Sequence, residues 1–195
     1  VMMASVSKLV TMTAVMTLVE SGEIDLNKPI TSYLKRLKLK NGYDQQVLVK
    51  HLLTHQTGFD DISIGSLAHS KEEIIPLEEY VVQNVPSTVW KPGHFYNYSN
   101  YSYSLLAYLV QEVSGLGFAD YVRKEVLEPI GMKDSGFDYS QHLLKNLMSR
   151  YRWVEDGNGW YLREYGIKYT NRCIKSINFS YSRFKCRYIS IARQQ

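Results

Sequence analysis

Apolar residues recur at three- and four-residue intervals through most of the first 130 positions, a spacing typical of helices. The segment 5–21 shows this pattern and is followed by Gly22, a residue that commonly ends a helix. We expect further helices at 47–55, from Pro76 onward, at 101–113 and at 118–127. The first helix is predicted to bury a wide apolar stripe, formed by Val6, Leu9, Val10, Met12, Val15, Met16 and Val19.

Strand patterns are expected only in the last third of the chain. Segments 151–154 and 160–165 flank a turn at 156–159 that is rich in Gly, Asn and Asp, which predicts a hairpin. Apolar residues also alternate over 177–181, a pattern that is consistent with an edge strand. The pattern therefore predicts a mainly helical body followed by a small amount of sheet.

The charge of the chain is unevenly distributed. Residues 1–166 hold 16 Lys and Arg against 19 Asp and Glu, whereas 167–195 hold seven basic residues and no acidic one. The net charge of +4 is therefore the sum of −3 from residues 1–166 and +7 from residues 167–195. We accordingly divide the chain into a partial domain of the resembled kind described below, at 1–166, and a basic tail of uncertain structure at 167–195. Such a tail is most often a solvated surface, so we expect no nucleic-acid binding.

Both cysteines, Cys173 and Cys186, lie in the basic tail, where they can pair or remain free thiols. One positive charge precedes the first apolar run, as in a signal peptide, but three threonines interrupt that run and Glu20 follows it directly. We therefore expect no signal peptide. No apolar stretch reaches about 18 residues, so we expect no membrane-spanning helix either.

Ser5 and Lys8 are three positions apart, a spacing that puts a hydroxyl and an amine on one helix face. Removing an amine from water favours its neutral form, which can accept a serine proton. The alternative is a lysine that lies along an apolar face with its amine in water. The same spacing occurs twice more, at Ser32 with Lys35 and at Ser182 with Lys185. Only the first pair opens a long apolar helix.

Five segments follow one another in a characteristic order: ASVSK at 4–8, LVESGEIDLNKP at 18–29, VKHLLTHQTG at 49–58, WKPG leading into YSN at 90–100, and EPIGMKDS at 128–135. Together they resemble the serine β-lactamase and penicillin-binding-protein superfamily. The resemblance is to its class C-like branch of β-lactamase-related hydrolases, esterases and D-alanyl-D-amino-acid peptidases. It covers about residues 3–166, and it is the order of the motifs that makes it specific.

The resemblance implies catalytic roles for four residues. Ser5 matches the acylated nucleophile and Lys8 its proton acceptor, although the acylation base is disputed for parts of the superfamily. Tyr98 matches the tyrosine that carries the proton to the leaving group, and Asn100 matches the asparagine that binds the substrate amide. These four residues are the predicted site.

Tyr98 has a structural alternative, because it belongs to a cluster of aromatic residues in a chain with 16 tyrosines. The neighbouring members are Tyr96, Tyr101 and Tyr103. The Tyr-x-Asn pattern also recurs at 169–171. We favour Tyr98 because it alone follows a Pro-Gly turn and precedes a predicted helix.

The resemblance implies an α+β fold of the β-lactamase and transpeptidase type, here mostly its helical region with an incomplete antiparallel sheet. The family's third motif, Lys-Thr-Gly or His-x-Gly, has no match after Asn100, and no strand precedes Ser5. We therefore hypothesise a member that is truncated at both ends, with unrelated sequence beginning near Ile167.

No cofactor or metal is expected. His51 and His55 have the four-residue spacing of some zinc ligands, but Leu52 stands where the metalloprotease motif needs Glu. In the resembled family this segment is a structural helix and turn.

The expected function is that of a serine hydrolase that forms an acyl-enzyme on a β-lactam, a D-Ala-D-Ala peptide or a small ester. Its partner would then be a small molecule or a peptidoglycan-type peptide, and its location the cell envelope or another extracytoplasmic site. The alternatives are an inactive remnant or non-catalytic binding module of the same fold, and a helical domain whose basic tail docks on an anionic surface.

Overall fold

The computed structural model describes residues 3–60, 67–68, 73–138, 140–145, 150–155, 160–165 and 169–170. Its helices are α1 (Ser7–Glu20), α2 (Val49–Leu53), α3 (Leu77–Gln83), α4 (Asn100–Ser114), α5 (Phe118–Val122) and α6 (Gln141–Lys145). Its strands are β1 (Lys40–Asn41), β2 (Leu67–Ala68), β3 (Ser87–Thr88), β4 (Arg150–Glu155), β5 (Trp160–Tyr165) and β6 (Tyr169–Thr170). Short 3-10 helices at Ala4–Val6 and Ile30–Ser32 and a π-helical turn at Arg123–Leu127 complete the described elements.

Helix α4 is the centre of the helical body. Its residues 101–110 are all buried, and it packs against α1, α2, α3 and α5. The helix begins where the Ser99 side chain accepts a hydrogen bond from the Ser102 backbone N–H, at 3.1 Å. It ends at Gly115, whose φ of +70° is the left-handed conformation common after a helix. Both ends of the central helix are thus set by local sequence.

The buried face of α1 differs from the predicted stripe. Val10 and Val15 are buried, but Val6, Leu9 and Met16 are exposed, Leu9 at 64%. The buried positions include polar residues instead, namely Ser7, Lys8 and Thr11, together with Ala14 and Leu18. The apolar residues of α1 lie on several sides of the helix, so their periodicity did not identify the face that packs against α4.

Three further sequence predictions are refined by the structure. Pro76 precedes α3 in an extended conformation rather than beginning it, and α2 is shorter than the predicted 47–55. Strands also occur earlier than expected, because β1 and β3 form a short parallel pair. Each has only two residues, too few for a recognisable alternating pattern.

The predicted hairpin is confirmed: β4 pairs antiparallel with β5, Arg150 opposite Tyr165. A third two-stranded sheet joins β2 to β6 in antiparallel register. The described sheet is therefore small and divided, and the architecture is α+β and mainly helical, as predicted. The possible strand at 177–181 lies outside the described residues, and the domain boundary at 166 stays a prediction.

Gly58 permits a close backbone approach that a side chain would block. It has a φ of +75°, and a Cβ built on it would lie 2.0 Å from the Trp90 carbonyl oxygen. Its own carbonyl accepts hydrogen bonds from the Val89 and Trp90 N–H groups. We expect Gly58→Ala to lower the free energy of unfolding by at least about 3 kcal/mol, because neither backbone can move without breaking these bonds.

Gly22 provides the matched control, since its φ is +80° but a Cβ there would meet nothing within 4 Å. Gly22→Ala should therefore lower the free energy of unfolding by only about 1–2 kcal/mol, the cost of placing a residue with a Cβ in the left-handed conformation. Urea unfolding of both variants measures the difference. Equal losses would show that the contact with Trp90 does not matter.

Candidate active site

The structure brings Ser5, Lys8, Tyr98 and Asn100 together, although Tyr98 follows Lys8 by 90 positions in the sequence. Tyr98 OH donates a hydrogen bond to Ser5 Oγ at 2.9 Å. Lys8 Nζ lies 3.4 Å from the same oxygen and 2.9 Å from Asn100 Oδ1. All four residues predicted from the sequence therefore lie in one cluster around the Ser5 hydroxyl.

Two helix beginnings hold this cluster. Ser5 lies in the 3-10 turn Ala4–Val6 that leads into α1, and Lys8 lies in the first turn of α1. The turn starts at Ala4, which has a φ of +46°, a conformation that L-residues adopt at an energetic cost. Asn100 is the first residue of α4. The packing of α1 on α4 therefore brings the two halves of the site together.

The side chain of Lys8 lies among neutral groups. The residue is 6% exposed, and its Nζ is 4.8 Å from the centre of the Tyr98 ring and 5.5 Å from that of Tyr103. None of the ion pairs found in the described part of the chain includes Lys8. The alternative of an amine extended into water therefore does not apply, whereas Ser5 itself is exposed and accessible from solvent.

The contacts of the neighbouring tyrosines distinguish Tyr98 from the rest of the aromatic cluster. Tyr101 OH donates to the Val81 carbonyl at 2.7 Å, and Tyr103 OH donates to the Leu53 carbonyl at 3.1 Å. Burial raises the pKa of both phenols, and nearby tyrosines add to the effect. Tyr98 is 39% exposed and directs its hydroxyl at Ser5.

Of the other two Ser-x-x-Lys pairs, one has an exposed lysine and the other lies outside the described residues. Ser32 and Lys35 are both exposed. Ser182 and Lys185 lie outside the described residues, as does Asn171 of the second Tyr-x-Asn pattern. Among the described pairs, only Ser5 and Lys8 combine an accessible hydroxyl with a buried amine.

The two histidines considered as zinc ligands accept hydrogen bonds from the backbone. Nδ1 of His51 accepts from the Leu48 N–H at 3.3 Å, and Nδ1 of His55 accepts from the Ser99 N–H at 3.2 Å. Over the described ranges, no group of three or more His, Cys, Asp or Glu is arranged to hold a metal ion. The sequence did not indicate the contact of His55 with the Tyr98 loop, because it joins segments more than 40 positions apart.

Burial of His51 links the stability of the protein to pH. Desolvation lowers the pKa of His51 in the folded protein, and the neighbouring Lys50 lowers it further. The unfolded chain therefore binds a proton more readily, so we expect the free energy of unfolding to decrease as the pH falls below about 6.5. Above that pH, this contribution is fully present.

Urea unfolding at pH values from about 7.5 to 5 checks this prediction in wild type and His51→Asn. Asparagine offers a neutral acceptor to the Leu48 N–H but does not titrate, so the variant should lose less stability on acidification. An identical decrease in both proteins would contradict the assignment to His51.

The chain matches the β-lactamase family over residues 1–168. It is 31% identical to the Bacillus subtilis protein PbpX over 125 residues, which is 64% of this chain and 29% of that protein. The chain thus spans less than a third of the length of this curated relative. In the part of the chain that is described, no helix is both long and apolar enough to cross a bilayer.

Solved structures share the fold. An octameric penicillin-binding protein homologue from Pyrococcus abyssi superposes with a TM-score of 0.71 at 26% identity, over 89% of this chain and 40% of that one. A β-lactamase/D-alanine carboxypeptidase from Yersinia pestis, in complex with citrate, gives a TM-score of 0.64 at 25% identity, over 75% and 43% of the two chains. By its sequence match and its helical architecture, this chain belongs to the β-lactamase family.

Proposed function

We propose that this chain carries the acylation centre of a serine hydrolase, in which the Ser5 hydroxyl attacks the carbonyl carbon of an amide or ester. The observation that supports this most directly is the contact of Ser5 Oγ with both Lys8 Nζ and Tyr98 OH. A serine hydroxyl needs a partner that removes its proton before it becomes a strong nucleophile. Here Lys8 is the candidate proton acceptor, and Tyr98 donates a hydrogen bond to the same oxygen.

The proposed reaction transfers one proton around the site. Lys8 Nζ accepts the proton of Ser5 as the bond from Oγ to the carbonyl carbon forms. When the bond to the leaving nitrogen or oxygen breaks, Tyr98 donates its proton to that atom and is reprotonated from Lys8. The products of this step are an acyl-Ser5 ester and a free amine or alcohol. Water later hydrolyses the ester, which releases the acid and restores the Ser5 hydroxyl.

The surroundings of Ser5 favour negative charge on the reacting oxygens. The N-terminal ends of α1 and α4 both lie at the site, and a helix N-terminus carries a partial positive charge. Asn100 keeps its amide next to Lys8, with its Oδ1 accepting from Nζ. In this proposal the side-chain amide of Asn100 orients the substrate amide.

The proposed substrates are β-lactams, D-Ala-D-Ala peptides and small esters, all of which contain an acyl group that serine can accept. The structural relative from Yersinia pestis is described as a β-lactamase and D-alanine carboxypeptidase, which supports an amide substrate of this class. We also propose an extracytoplasmic or cell-envelope location, where peptidoglycan-type peptides occur.

A non-catalytic role is the second candidate. It is favoured by the absence of any Lys-x-Gly, His-x-Gly or Arg-x-Gly triplet after Asn100 in this sequence. In the resembled family that motif lies beside a second oxyanion donor, and loss of one such donor costs about 10²–10³ in rate. A chain of this kind would keep the helical body and bind ligand without turnover.

Covalent labelling separates the two candidates. A fluorophosphonate forms a bond from phosphorus to the serine oxygen with loss of fluoride, and a fluorescent penicillin acylates serine when its β-lactam ring opens. We expect one adduct per chain with at least one of these probes, detected as an increase in intact mass. No adduct with either probe, at concentrations that label an active control hydrolase, would favour the non-catalytic role.

Tyr98→Phe tests the proton carrier separately. The ring and its contacts with Lys8 remain, but the hydroxyl next to Ser5 Oγ is lost. We expect the rate of penicillin acylation to fall about 10²-fold, the usual contribution of a positioned acid or base. Tyr96→Phe is the matched control, because Tyr96 is 68% exposed and belongs to the same aromatic loop. An equal rate in both variants would exclude Tyr98 from proton transfer.

A further inference from the structure

His55 contacts the backbone on both sides of Tyr98. Its main-chain carbonyl accepts a hydrogen bond from the Asn97 N–H at 2.8 Å. Its ring Nδ1 accepts one from the Ser99 N–H at 3.2 Å. A single residue thus binds both neighbours of the tyrosine whose hydroxyl lies on Ser5.

The ring of His55 also packs on the ring of Tyr98. Their centroids are 4.5 Å apart, and the ring centroid of Tyr103 lies 5.0 Å from that of His55. His55 is only 8% exposed, whereas Tyr98 is one of the exposed aromatic residues. Since Tyr98 lies in a loop before α4 and not in the core, contacts of this kind limit where its hydroxyl can be.

The backbone of His55 is adapted to this position. It has a φ of +57°, and Ala4 is the only other described residue besides glycines with a positive φ. This conformation is energetically unfavourable for a residue with a Cβ, so the surrounding contacts must offset its cost. It directs both the carbonyl and the ring of His55 toward the loop at 97–99.

The hydrogen bond to Ser99 also defines the chemical state of the ring. Nδ1 can accept only when it carries no proton, so the imidazole must be neutral with its hydrogen on Nε2. An imidazolium ring would present a donor to the Ser99 N–H, and the bond would be lost.

We propose that His55 is a positioning residue that holds the Tyr98 hydroxyl at hydrogen-bonding distance from Ser5 Oγ. The expected effect of His55 on the reaction rate rests on the proposed function. The positioning of Tyr98 by His55 rests on the contacts alone. A displacement of about 1 Å at a reacting group can lower a rate about 10²-fold. His55 is thus required for fast acylation without touching the substrate.

Two variants of the full chain test the proposal. His55→Asn keeps a side-chain acceptor for Ser99, and asparagine tolerates the left-handed conformation. His55→Leu keeps a side chain of similar bulk but offers no acceptor. We expect the saturating rate of penicillin acylation, in which the leaving nitrogen needs the Tyr98 proton, to fall about 10²-fold in His55→Leu and less than about 10-fold in His55→Asn. The half-saturating probe concentration should change little in either, because the binding residues remain.

Amide hydrogen exchange provides a readout that does not depend on activity. We expect the Asn97 and Ser99 amides to exchange faster in His55→Leu than in His55→Asn, with the amides of residues 105–110 in α4 unchanged. Nitrogen NMR of the wild-type ring should show the hydrogen on Nε2.

The outcomes separate this inference from the proposed function. If wild type forms no adduct but exchange and NMR are as expected, the proposed function is wrong and the positioning of Tyr98 is supported. If wild type is labelled but both variants react at the wild-type rate, positioning by His55 is overturned. Unchanged exchange at Asn97 and Ser99 in His55→Leu, or a hydrogen on Nδ1, would overturn it as well.

Discussion

Ser5→Ala should abolish covalent labelling and lower any turnover of a β-lactam or ester by at least about 10³-fold. The oxygen that contacts Lys8 Nζ and Tyr98 OH is the atom removed, and no other hydroxyl is expected to replace it. Because Ser5 is exposed, the free energy of unfolding should change by less than about 0.5 kcal/mol. Intact mass and urea unfolding measure the two effects.

Ser32→Ala is the control for this experiment. Ser32 is also an exposed serine three positions before a lysine, but Lys35 is exposed too. We expect wild-type labelling in this variant. If Ser5→Ala is still labelled, or if Ser32→Ala loses the adduct, the assignment of the nucleophile is wrong.

Lys8→Met should separate activity from stability. Methionine has a similar length and shape but cannot accept a proton, so we expect the acylation rate to fall at least about 10³-fold. The amine of Lys8 is buried next to neutral partners, with no ion pair among the described residues to offset its removal from water. Replacement of such a group by an apolar side chain is often neutral or stabilising.

Thermal or urea unfolding of Lys8→Met should therefore show a stability equal to or above that of wild type. Lys35→Met is the matched control, because Lys35 is exposed and should affect neither quantity strongly. If Lys8→Met loses several kcal/mol of stability, Lys8 is chiefly structural. If the variant is labelled at the wild-type rate, Lys8 is not the proton acceptor.

The four residues of the proposed site could be predicted from sequence because each belongs to a short motif, and the order of the motifs is specific. The helix boundaries near the site also follow from local chemistry: Ser99 begins α4 and Gly115 ends it. Local features of this kind depend on neighbours within a few positions, which a sequence displays directly.

The packing face of α1 and the role of His55 were not predictable in the same way. Leu9 is exposed while Ser7 and Thr11 are buried, because contacts with α4 decide the orientation of a helix that is apolar on several sides. His55 acts across a long sequence separation through its backbone conformation and one ring nitrogen. Such long-range contacts exist only in the folded chain.

The central claim is that Ser5 is the nucleophile of a site that Lys8, Tyr98 and Asn100 complete. Tandem mass spectrometry of the fluorophosphonate-labelled chain after proteolysis tests it most directly, because it identifies the modified residue. We expect a single modification, on the Ser5 oxygen, within the peptide that contains residues 4–8. Modification of Ser7 or of a tyrosine instead, or no modification under conditions that label an active hydrolase, would contradict the claim.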